Sequence, residues 1–142
     1  MTSEATLRRF EPERRDRNID AALRVIARAG VGATTHRSVA KETGVPVGWT
    51  TYHFASLDEL LTEAFIRHVD RLSHRFEARM ALATTRTEVI DAVVATIEGD
   101  LTERAEDLAV KFELYGAASR RADLKVVTQA WKSVRPRRWS AM

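Results

Sequence analysis

The sequence predicts an all-helical protein in which a three-helix, helix-turn-helix head is joined through a long fourth helix to a helical C-terminal domain. Apolar residues recur at helical spacing along the chain, and no segment alternates convincingly with a period of two. Two short helical segments in the first third flank a glycine-containing break, which is the pattern of a helix-turn-helix. With 142 residues, the chain is long enough to bury a core.

Composition narrows the class of protein further. Hydrophobic residues make up 44% of the chain and charged residues 30%, which is typical of a globular protein rather than a disordered one. The absence of cysteine excludes disulfides, thiolate metal sites and cysteine nucleophiles. No segment resembles a secretory signal, and none approaches the roughly 18 consecutive apolar residues of a membrane span. We therefore expect a soluble, cytoplasmic protein.

The excess of positive charge is confined to the N-terminal third of the chain. Residues 1–54 contain nine Arg or Lys and six Asp or Glu, whereas the remainder contains fourteen of each sign. A basic excess in one segment favours an anionic partner there, most often nucleic acid. An ordinary solvated surface is the alternative interpretation.

The first helix is predicted from about Pro12 to Ala29. Proline suits the first turn of a helix, and Ile19, Leu23 and Ile26 form an apolar stripe at i, i+4 and i+7. The two glycines in residues 30–32 end the helix, because glycine tolerates the left-handed conformation found at helix C-termini.

Two short helices follow. A threonine, at position 34 or 35, caps the first of them, which continues to about Thr43. The Gly-Val-Pro sequence of residues 44–46 ends this helix and forms a turn. The second short helix begins at residue 46 or 47 and ends near His53.

A clear start signal precedes the fourth helix. Ser56 and Glu59 form a capping box, in which the serine hydroxyl accepts from the Glu59 amide and the Glu59 carboxylate reaches back. The helix is predicted from Leu57 to about Ala83, a length of roughly 40 Å at about 1.5 Å per residue. Its apolar stripe comprises Leu57, Leu60, Leu61, Ala64, Phe65, His68, Val69, Leu72, Phe76 and Met80.

Three further helices are predicted in the C-terminal half. The fifth, which residues 99–100 are expected to interrupt, carries Val89, Ile90, Val93, Val94 and Ile97. The sixth carries Leu108, Val110, Phe112, Leu114 and Tyr115. The seventh carries Leu124, Val127, Trp131 and Val134. Pro136 ends it within a basic tail over residues 135–138.

The segment over residues 32–61, GATTHRSVAKETGVPVGWTTYHFASLDELL, contains the motif that indicates function. Its matching features are Thr35, Val39-Ala40, Gly44-Val45, Gly48, Tyr52-His53-Phe54, Ser56 and Leu60-Leu61. In this order and spacing, the segment closely resembles the DNA-binding domain of the TetR family of transcription regulators. The resemblance begins at Ile19 and implies a DNA-binding domain over residues 1–56 and a regulatory domain over residues 57–142.

The resemblance also implies which residues face DNA. The DNA-facing positions of the second motif helix are Val47, Gly48, Trp49, Thr51 and Tyr52. Thr and Val methyl groups can pack on thymine methyl groups, and the Tyr52 hydroxyl can bind a phosphate. The start of the preceding helix, where free amides favour a phosphate, carries Thr35, His36 and Arg37. Further phosphate or minor-groove contacts are expected from Arg14, Arg15 and Arg17.

Three positions depart from the family's pattern. Thr51 stands where the family commonly has Tyr, and Leu57 stands where it has Lys, so the residues that usually make two phosphate contacts are absent. Trp49 replaces a small residue, and we therefore expect a base preference particular to this chain. A core or interface role is the alternative for Trp49, and packing against the helices is favoured for His53.

In the C-terminal half, the resemblance implies a small-molecule pocket whose occupancy changes the spacing of two DNA-binding heads. The candidate lining residues are Phe65, His68, Leu72, Phe76, Phe112, Tyr115 and Trp131. Packing of a helical core is the alternative for each of them. Family members typically continue with two further helices that form a dimer, so we expect a short or truncated member. We still expect a homodimer, because its twofold symmetry matches that of a palindromic operator.

We therefore expect a transcription regulator, most simply a repressor that an unidentified small molecule releases from a palindromic operator. The main alternative is a truncated helical module that binds a small molecule or protein, with weak or no specific DNA binding. A sequence-indifferent DNA coater is a third alternative, which predicts a steep salt dependence. No enzyme, cofactor or metal is expected, because Glu59 and Glu63 suit a helix N-terminus and the four histidines lack metal-ligand spacing.

Overall fold

The structure is a computed structural model that describes the backbone of residues 2–133 and the side chains of residues 12–125, 127 and 129. The helices are α1 (Thr2–Ala29), α2 (His36–Thr43), α3 (Val47–His53), α4 (Leu57–Ala81), α5 (Arg86–Thr102), α6 (Ala105–Arg120) and α7 (Ala122–Ser133). A 3-10 turn, Val31–Ala33, lies between α1 and α2. The all-helical fold class is confirmed. None of the helices described combines the length and apolar character needed to cross a membrane.

The chain divides into two compact units, one up to Phe65 and one from Ile66 onward. α4 begins in the first unit and continues into the second. Leu60, Leu61 and Phe65 are at most 2% exposed, so the first turns of α4 complete the core of the first unit. The domain boundary predicted between residues 56 and 57 lies at the start of α4, ahead of the division between the units.

Large apolar side chains hold the first three helices together. Ile19 and Ile26 from α1, Val39 from α2 and Phe54 after α3 are at most 1% exposed. α1 contacts both α2 and α3, and α2 contacts α3. This support matters because a helix as short as α3, with seven residues, is unstable in isolation.

α1 is longer than predicted. It begins at Thr2, and Pro12 lies inside the helix rather than in its first turn. Proline removes one backbone hydrogen bond and is disfavoured in a helix interior, which is why the sequence predicted a start there. Residues 2–11 are rich in Glu, Ala, Leu and Arg, whose high helix propensity favours continuation of the helix through the proline.

The core of the second unit is built mainly from α4, α6 and α7. Val69 and Leu72 from α4, Val110 and Leu114 from α6, and Leu124 from α7 are at most 9% exposed. α6 contacts both α5 and α7. The predicted end of the seventh helix at Pro136, and the basic tail over residues 135–138, lie outside the described residues.

α5 does not end at Gly99, as the sequence predicted, but continues to Thr102. The Gly99 carbonyl accepts from the amides of Glu103 and Arg104, at 2.9 and 3.0 Å. The Arg104 side chain folds back across Gly99, where a Cβ would collide with the guanidinium group. Its Nε donates to Asp100 Oδ1 at 3.2 Å. The glycine therefore makes room for this arginine rather than interrupting the helix.

Candidate nucleic-acid interface

The turn between α2 and α3 has a compact, hydrogen-bonded geometry. Gly44 has a φ of 72°, in the left-handed region that glycine enters without steric cost. Its amide donates to the carbonyls of Ala40 and Lys41, and the Val45 amide donates to the Ala40 carbonyl at 3.1 Å. These bonds satisfy the last carbonyls of α2 and direct the chain into α3.

Thr35 fixes the start of α2. Its hydroxyl accepts from the Ser38 amide at 3.1 Å, and the Ser38 hydroxyl accepts from the Thr35 amide at 2.8 Å. This reciprocal pair is a capping box. Thr34, the other candidate, is buried, and its hydroxyl donates to the Gly30 carbonyl at 3.0 Å. Of the two threonines that the sequence offered, Thr35 is therefore the cap.

The inward side of α3 is anchored by Thr50 and Phe54, which are 0% and 1% exposed. The Thr50 hydroxyl donates to the Val47 carbonyl at 2.8 Å and lies 3.4 Å from the His36 carbonyl of α2. A buried hydroxyl is tolerated when its hydrogen bond is satisfied in this way. Val45, expected to support α3, is half-buried.

The opposite side of α3 is exposed and carries no formally charged residue. Val47 and Trp49 are each 41% exposed, and Tyr52 is 74% exposed. Gly48 is also exposed, and a methyl group added there would meet no atom within 4 Å. Packing inside the protein therefore does not require glycine at this position, and another molecule can approach the backbone closely. Thr51 is exposed as well, with its hydroxyl donating to the Gly48 carbonyl at 3.1 Å.

Trp49 is braced by α1. The Arg14 guanidinium lies 4.4 Å from the centroid of the Trp49 ring, within the range of a cation–π contact. A groove of about 280 Å³ adjoins this pair and is lined by Glu13, Arg14, Arg17, Asn18, Thr43, Val45, Trp49 and His53. Trp49 is therefore an exposed residue of α3 that also contacts α1, and its role in reading bases stays a prediction.

Arg15 fastens α1 to the start of α4. Its guanidinium donates two hydrogen bonds to the Glu63 carboxylate and lies 3.8 Å from Glu59 Oε1. It also stacks over the Phe54 ring, 4.7 Å from the centroid. The hydrogen bond to Glu63 raises the pKa of Arg15 above its ordinary value. In this structure the Arg15 charge is therefore bound by carboxylates, and the DNA contact expected of Arg15 stays a prediction.

The capping box at the start of α4 forms with a small difference from the predicted one. The Ser56 hydroxyl accepts from the Glu59 amide at 3.1 Å. The Glu59 carboxylate reaches back to the Ala55 amide at 2.9 Å, one residue before the serine. Glu59 therefore accepts a hydrogen bond from a backbone amide at the start of α4, as expected of a residue suited to a helix N-terminus. Glu63 instead binds Arg15.

A second ion-pair cluster joins α1 to α2. Arg24 Nε donates to one Glu42 carboxylate oxygen at 3.1 Å, and Arg28 donates to the other at 2.9 Å. The hydrogen bond from Arg28, and then that from Arg24, lower the pKa of Glu42. By contrast, Arg17 and Arg37 are exposed and form no ion pair with any carboxylate among the described side chains. His36 is half-buried, and its Nδ1 has no hydrogen-bond partner among the described atoms.

The structure describes the side chains of six of the seven predicted ligand-lining residues. Phe65 is buried in the first unit. In the second unit, His68 and Leu72 are buried and Phe76 is half-buried. Phe112 and Tyr115 are 69% and 42% exposed, and their role in lining a pocket stays a prediction. The side chain of Trp131 lies outside the described residues.

His68 is the unusual residue of this set. It is 3% exposed, its Nδ1 lies 3.8 Å from Asp107 Oδ1, and its Nε2 has no hydrogen-bond partner among the described atoms. Burial lowers the pKa of His68 to about 4 and outweighs the opposing effect of Asp107. The ring is therefore neutral at pH 7. Within the described part of the chain, no group of three or more His, Asp or Glu residues is placed to hold a metal ion.

These features define the class of the first unit. A short helix is held on its inward side, exposed on its outward side, and preceded by a capped helix and a tight glycine turn. Unpaired arginines lie on α1 and α2. This is a helix-turn-helix head of the kind found in DNA-binding proteins.

Known proteins place the chain within that class. Residues 19–64 match the family described as bacterial regulatory proteins, tetR family. The HTH-type transcriptional regulator BetI of Rhizobium meliloti is 29% identical over 116 residues, which cover 82% of this chain and 57% of BetI. This chain therefore spans little more than half the length of that relative.

Two solved structures are similar over most of the chain. SCO1917 from Streptomyces coelicolor A3, a member of the TetR family, is 37% identical with a TM-score of 0.74, covering 84% of this chain and 69% of SCO1917. The multidrug binding protein EbrR complexed with ethidium is 36% identical with a TM-score of 0.75, covering 87% of this chain and 71% of EbrR. The chain belongs to the TetR family, as the sequence resemblance predicted.

Proposed function

We propose that this chain is a cytoplasmic transcription regulator that contacts base edges in the major groove of DNA through α3. The observation that carries the proposal is the outward side of α3, which is exposed, uncharged and open at Gly48. A helix that reads bases must be held rigidly and must present hydroxyl, methyl or aromatic groups. The proposed base-reading residues are Val47, Gly48, Trp49, Thr51 and Tyr52.

The proposed phosphate contacts flank this helix. Arg37, with Thr35 and His36, lies at the start of α2, where unpaired amides and the helix dipole favour an anion. Arg17, with Arg14, lies on α1 beside Trp49. Arg15 is not included, because Glu63 binds its guanidinium. Exposed arginines without a carboxylate partner can neutralise phosphates without first breaking an ion pair.

We propose that the regulator is a repressor and that it acts as a homodimer on a palindromic operator. Half-sites for such a dimer lie about 34–36 Å apart. A small molecule that prefers the conformation with a different head spacing would lower operator affinity. The likeness to EbrR, a multidrug binding protein whose structure contains ethidium, supports a small-molecule effector. His68, Leu72 and Phe76 in the second unit are the proposed effector contacts, and no catalytic step is proposed.

The test is binding of the purified chain to DNA from upstream of its own gene and to scrambled DNA, at several salt concentrations. We expect specific binding to be about 10³-fold tighter or more. Thr51→Ala should reduce the ratio between the two affinities. Arg37→Ala should weaken both affinities and make the logarithmic salt slope shallower by about one.

Arg28→Ala is the matched control for Arg37→Ala. It removes the same charge, but from an arginine that Glu42 already binds, and we expect little change in the salt slope. If wild-type protein binds its own upstream DNA no more tightly than scrambled DNA at every salt concentration, the proposal of specific regulation is wrong. The helical second unit would then be the functional part, as a module that binds a small molecule or protein.

A further inference from the structure

Arg14 and Arg15 are neighbours on α1, and each lies over an aromatic ring at or just after α3. Arg15 lies over Phe54, which is 1% exposed, and carboxylates also bind its charge. Arg14 lies over Trp49, which is 41% exposed, and no carboxylate among the described side chains pairs with Arg14. The contact of Arg15 therefore belongs to the core of the first unit, whereas that of Arg14 lies on the surface proposed to meet DNA.

The indole of Trp49 lies against α1 rather than extending freely into solvent. It lines the groove that also contains Arg17 and the buried Asn18 of α1. An exposed side chain exchanges between rotamers within nanoseconds unless a neighbour holds it. The Arg14 guanidinium, 4.4 Å from the ring centroid, supplies such a hold through a cation–π contact. The ring is therefore placed before any DNA is bound.

Placing the ring in advance affects what α3 can recognise. A side chain that is already ordered loses less conformational entropy when it enters an interface. It also meets a base edge in one geometry, so the difference in affinity between a matching and a mismatched base is larger. A mobile indole would instead adjust to several bases.

The chemistry of the indole indicates which base it suits. Tryptophan offers an apolar ring and a single N–H donor. In the major groove, thymine presents both a methyl group and an acceptor oxygen, and no other base combines the two. A thymine therefore matches Trp49 better than the other three bases.

The contact with Trp49 does not consume the charge of Arg14. A guanidinium carries five N–H donors, and contact with a ring leaves donors available for a phosphate. Lysine at this position would keep the positive charge, but it lacks the planar group that packs on an aromatic ring. Replacing Arg14 by lysine therefore separates its effect on the ring from its effect on phosphates.

We propose that Arg14 is a positioning residue that holds the Trp49 indole against α1 and thereby sets a preference for thymine at the base pair that Trp49 reads. This inference deepens the proposed function and rests on it for the part that concerns DNA. The contact between the two side chains lies within the first unit and can be tested without DNA.

The first experiment measures affinity for a site in the upstream DNA and for versions of it with each base pair changed singly. Trp49→Ala identifies the base pair concerned, as the one at which discrimination is lost, and we expect a thymine there. Arg14→Lys should reduce discrimination at the same base pair by about two- to fivefold, the strength of an exposed cation–π contact. Because the charge is kept, the logarithmic salt slope should not change.

Arg24→Lys is the matched control for this experiment. It makes the same change on the same helix, at an arginine that Glu42 binds. The base preference and the salt slope should both remain those of wild type. Full discrimination in Arg14→Lys, or a base other than thymine at the position that Trp49 reads, overturns the proposal.

A double-mutant cycle tests whether Arg14 acts through the ring. In protein that carries Trp49→Ala, adding Arg14→Lys should cause no further change in base preference, because the ring that Arg14 holds is absent. A general effect of Arg14 on the fold would persist without Trp49. An equal loss of discrimination with and without the indole therefore overturns the proposal.

Fluorescence of Trp49 tests the positioning in the free protein. Trp131→Phe and Trp139→Phe remove the other two tryptophans, so that all indole emission comes from Trp49. In this background, Arg14→Lys and Arg14→Ala should speed the nanosecond decay of anisotropy that reports ring motion. Arg24→Lys should leave the decay unchanged, and circular dichroism checks that each variant keeps its helices. Equal ring motion with and without Arg14 overturns the positioning role.

The inference and the proposed function fail in different ways. If the chain binds its upstream DNA no more tightly than scrambled DNA, specific regulation and the thymine preference are wrong. Faster ring motion in Arg14→Lys would then still support the positioning of Trp49. If specific binding is found and Arg14→Lys changes neither base preference nor ring motion, regulation stands and the role of Arg14 is wrong.

Discussion

The two units expose apolar side chains in different settings. In the first unit, Val47, Trp49 and Tyr52 are exposed on a short helix whose other side is anchored by Thr50, and Arg14 braces Trp49. In the second unit, α5 exposes four aliphatic side chains, Ile90, Val94, Ile97 and Leu101. The first pattern suits a hydrated, polar surface such as a DNA groove, because each residue can make its own contact. The second suits another helix, because aliphatic side chains contribute a favourable free energy only when their apolar surface is removed from water together.

The largest expected effect concerns the anchoring of α3. Phe54→Ala should lower the free energy of unfolding of the first unit by about 3–5 kcal/mol, since it empties a site that is 1% exposed. Tyr52→Ala, two residues earlier but 74% exposed, should change stability by no more than about 0.5 kcal/mol. Urea unfolding followed by circular dichroism measures both. Similar losses from the two variants would mean that α3 is not divided into an anchored and an exposed side.

The next effect concerns pH and the second unit. Burial lowers the pKa of His68 to about 4 from its ordinary value of 6.5, so between these values the unfolded chain binds a proton that the folded chain does not. Stability should therefore fall as pH falls through this window, by about 3 kcal/mol at full extent. The His68→Leu variant should have a flatter stability profile over the window.

The control for this measurement is His74→Gln, which removes an exposed histidine of the same helix. Its stability should keep the pH dependence of the wild type. Unfolding free energies at several values between pH 4 and pH 7 supply the comparison. A His68→Leu profile parallel to that of wild type would show that the histidine is not held neutral by burial.

A smaller effect is expected where α1 meets α4. Glu63→Gln should lower the free energy of unfolding by about 1–2 kcal/mol, because it weakens two charged hydrogen bonds while a third of each side chain stays in water. Glu77→Gln, exposed on the same helix, is the control and should be nearly neutral. Equal stabilities for the two variants would show that the bonds from Arg15 contribute little.

The smallest change in stability is expected at Gly48, where stability and DNA binding should move in opposite directions. Gly48→Ala should stabilise α3 by about 0.5–1 kcal/mol, because alanine restricts the unfolded chain and meets no atom in the fold. The added methyl group should lower affinity for DNA. Gly32→Ala also meets open space but lies outside α3, and it should leave DNA affinity unchanged. Unchanged affinity in Gly48→Ala would remove the close approach proposed for DNA.

The sequence predicted the helix-turn-helix because its signals are local. A threonine cap, a glycine turn and the start of α4 each depend on residues within four positions of one another. The same locality explains the errors at Pro12 and Gly99. The cost of a proline or glycine in a helix can be predicted from the residue itself. Whether the helix ends there depends on neighbours such as Arg104, whose side chain occupies the space beside Gly99.

The sequence did not predict contacts between residues that are far apart along the chain. Arg15 and Glu63 are 48 positions apart, and nothing in either neighbourhood indicates that they meet. α5 shows a different limit. Its apolar residues, Ile90 and Ile97 among them, predicted a helix, but the structure leaves these two side chains 53% and 55% exposed and buries Ala92. Periodicity identifies a face and does not say which molecule covers it.

The carboxylates that bind arginines in the first unit also affect how the protein approaches DNA. The negative charges of Glu42 and Glu63 reduce the electrostatic field of the arginines that they bind. Among the described side chains of the first unit, the cations without a carboxylate partner, Arg14, Arg17, Arg37 and Lys41, then supply the long-range attraction. An uneven field of this kind orients a molecule during diffusional encounter, so more collisions with the polyanion are productive. Ionic strength should therefore act chiefly on the association rate and less on the lifetime of the complex.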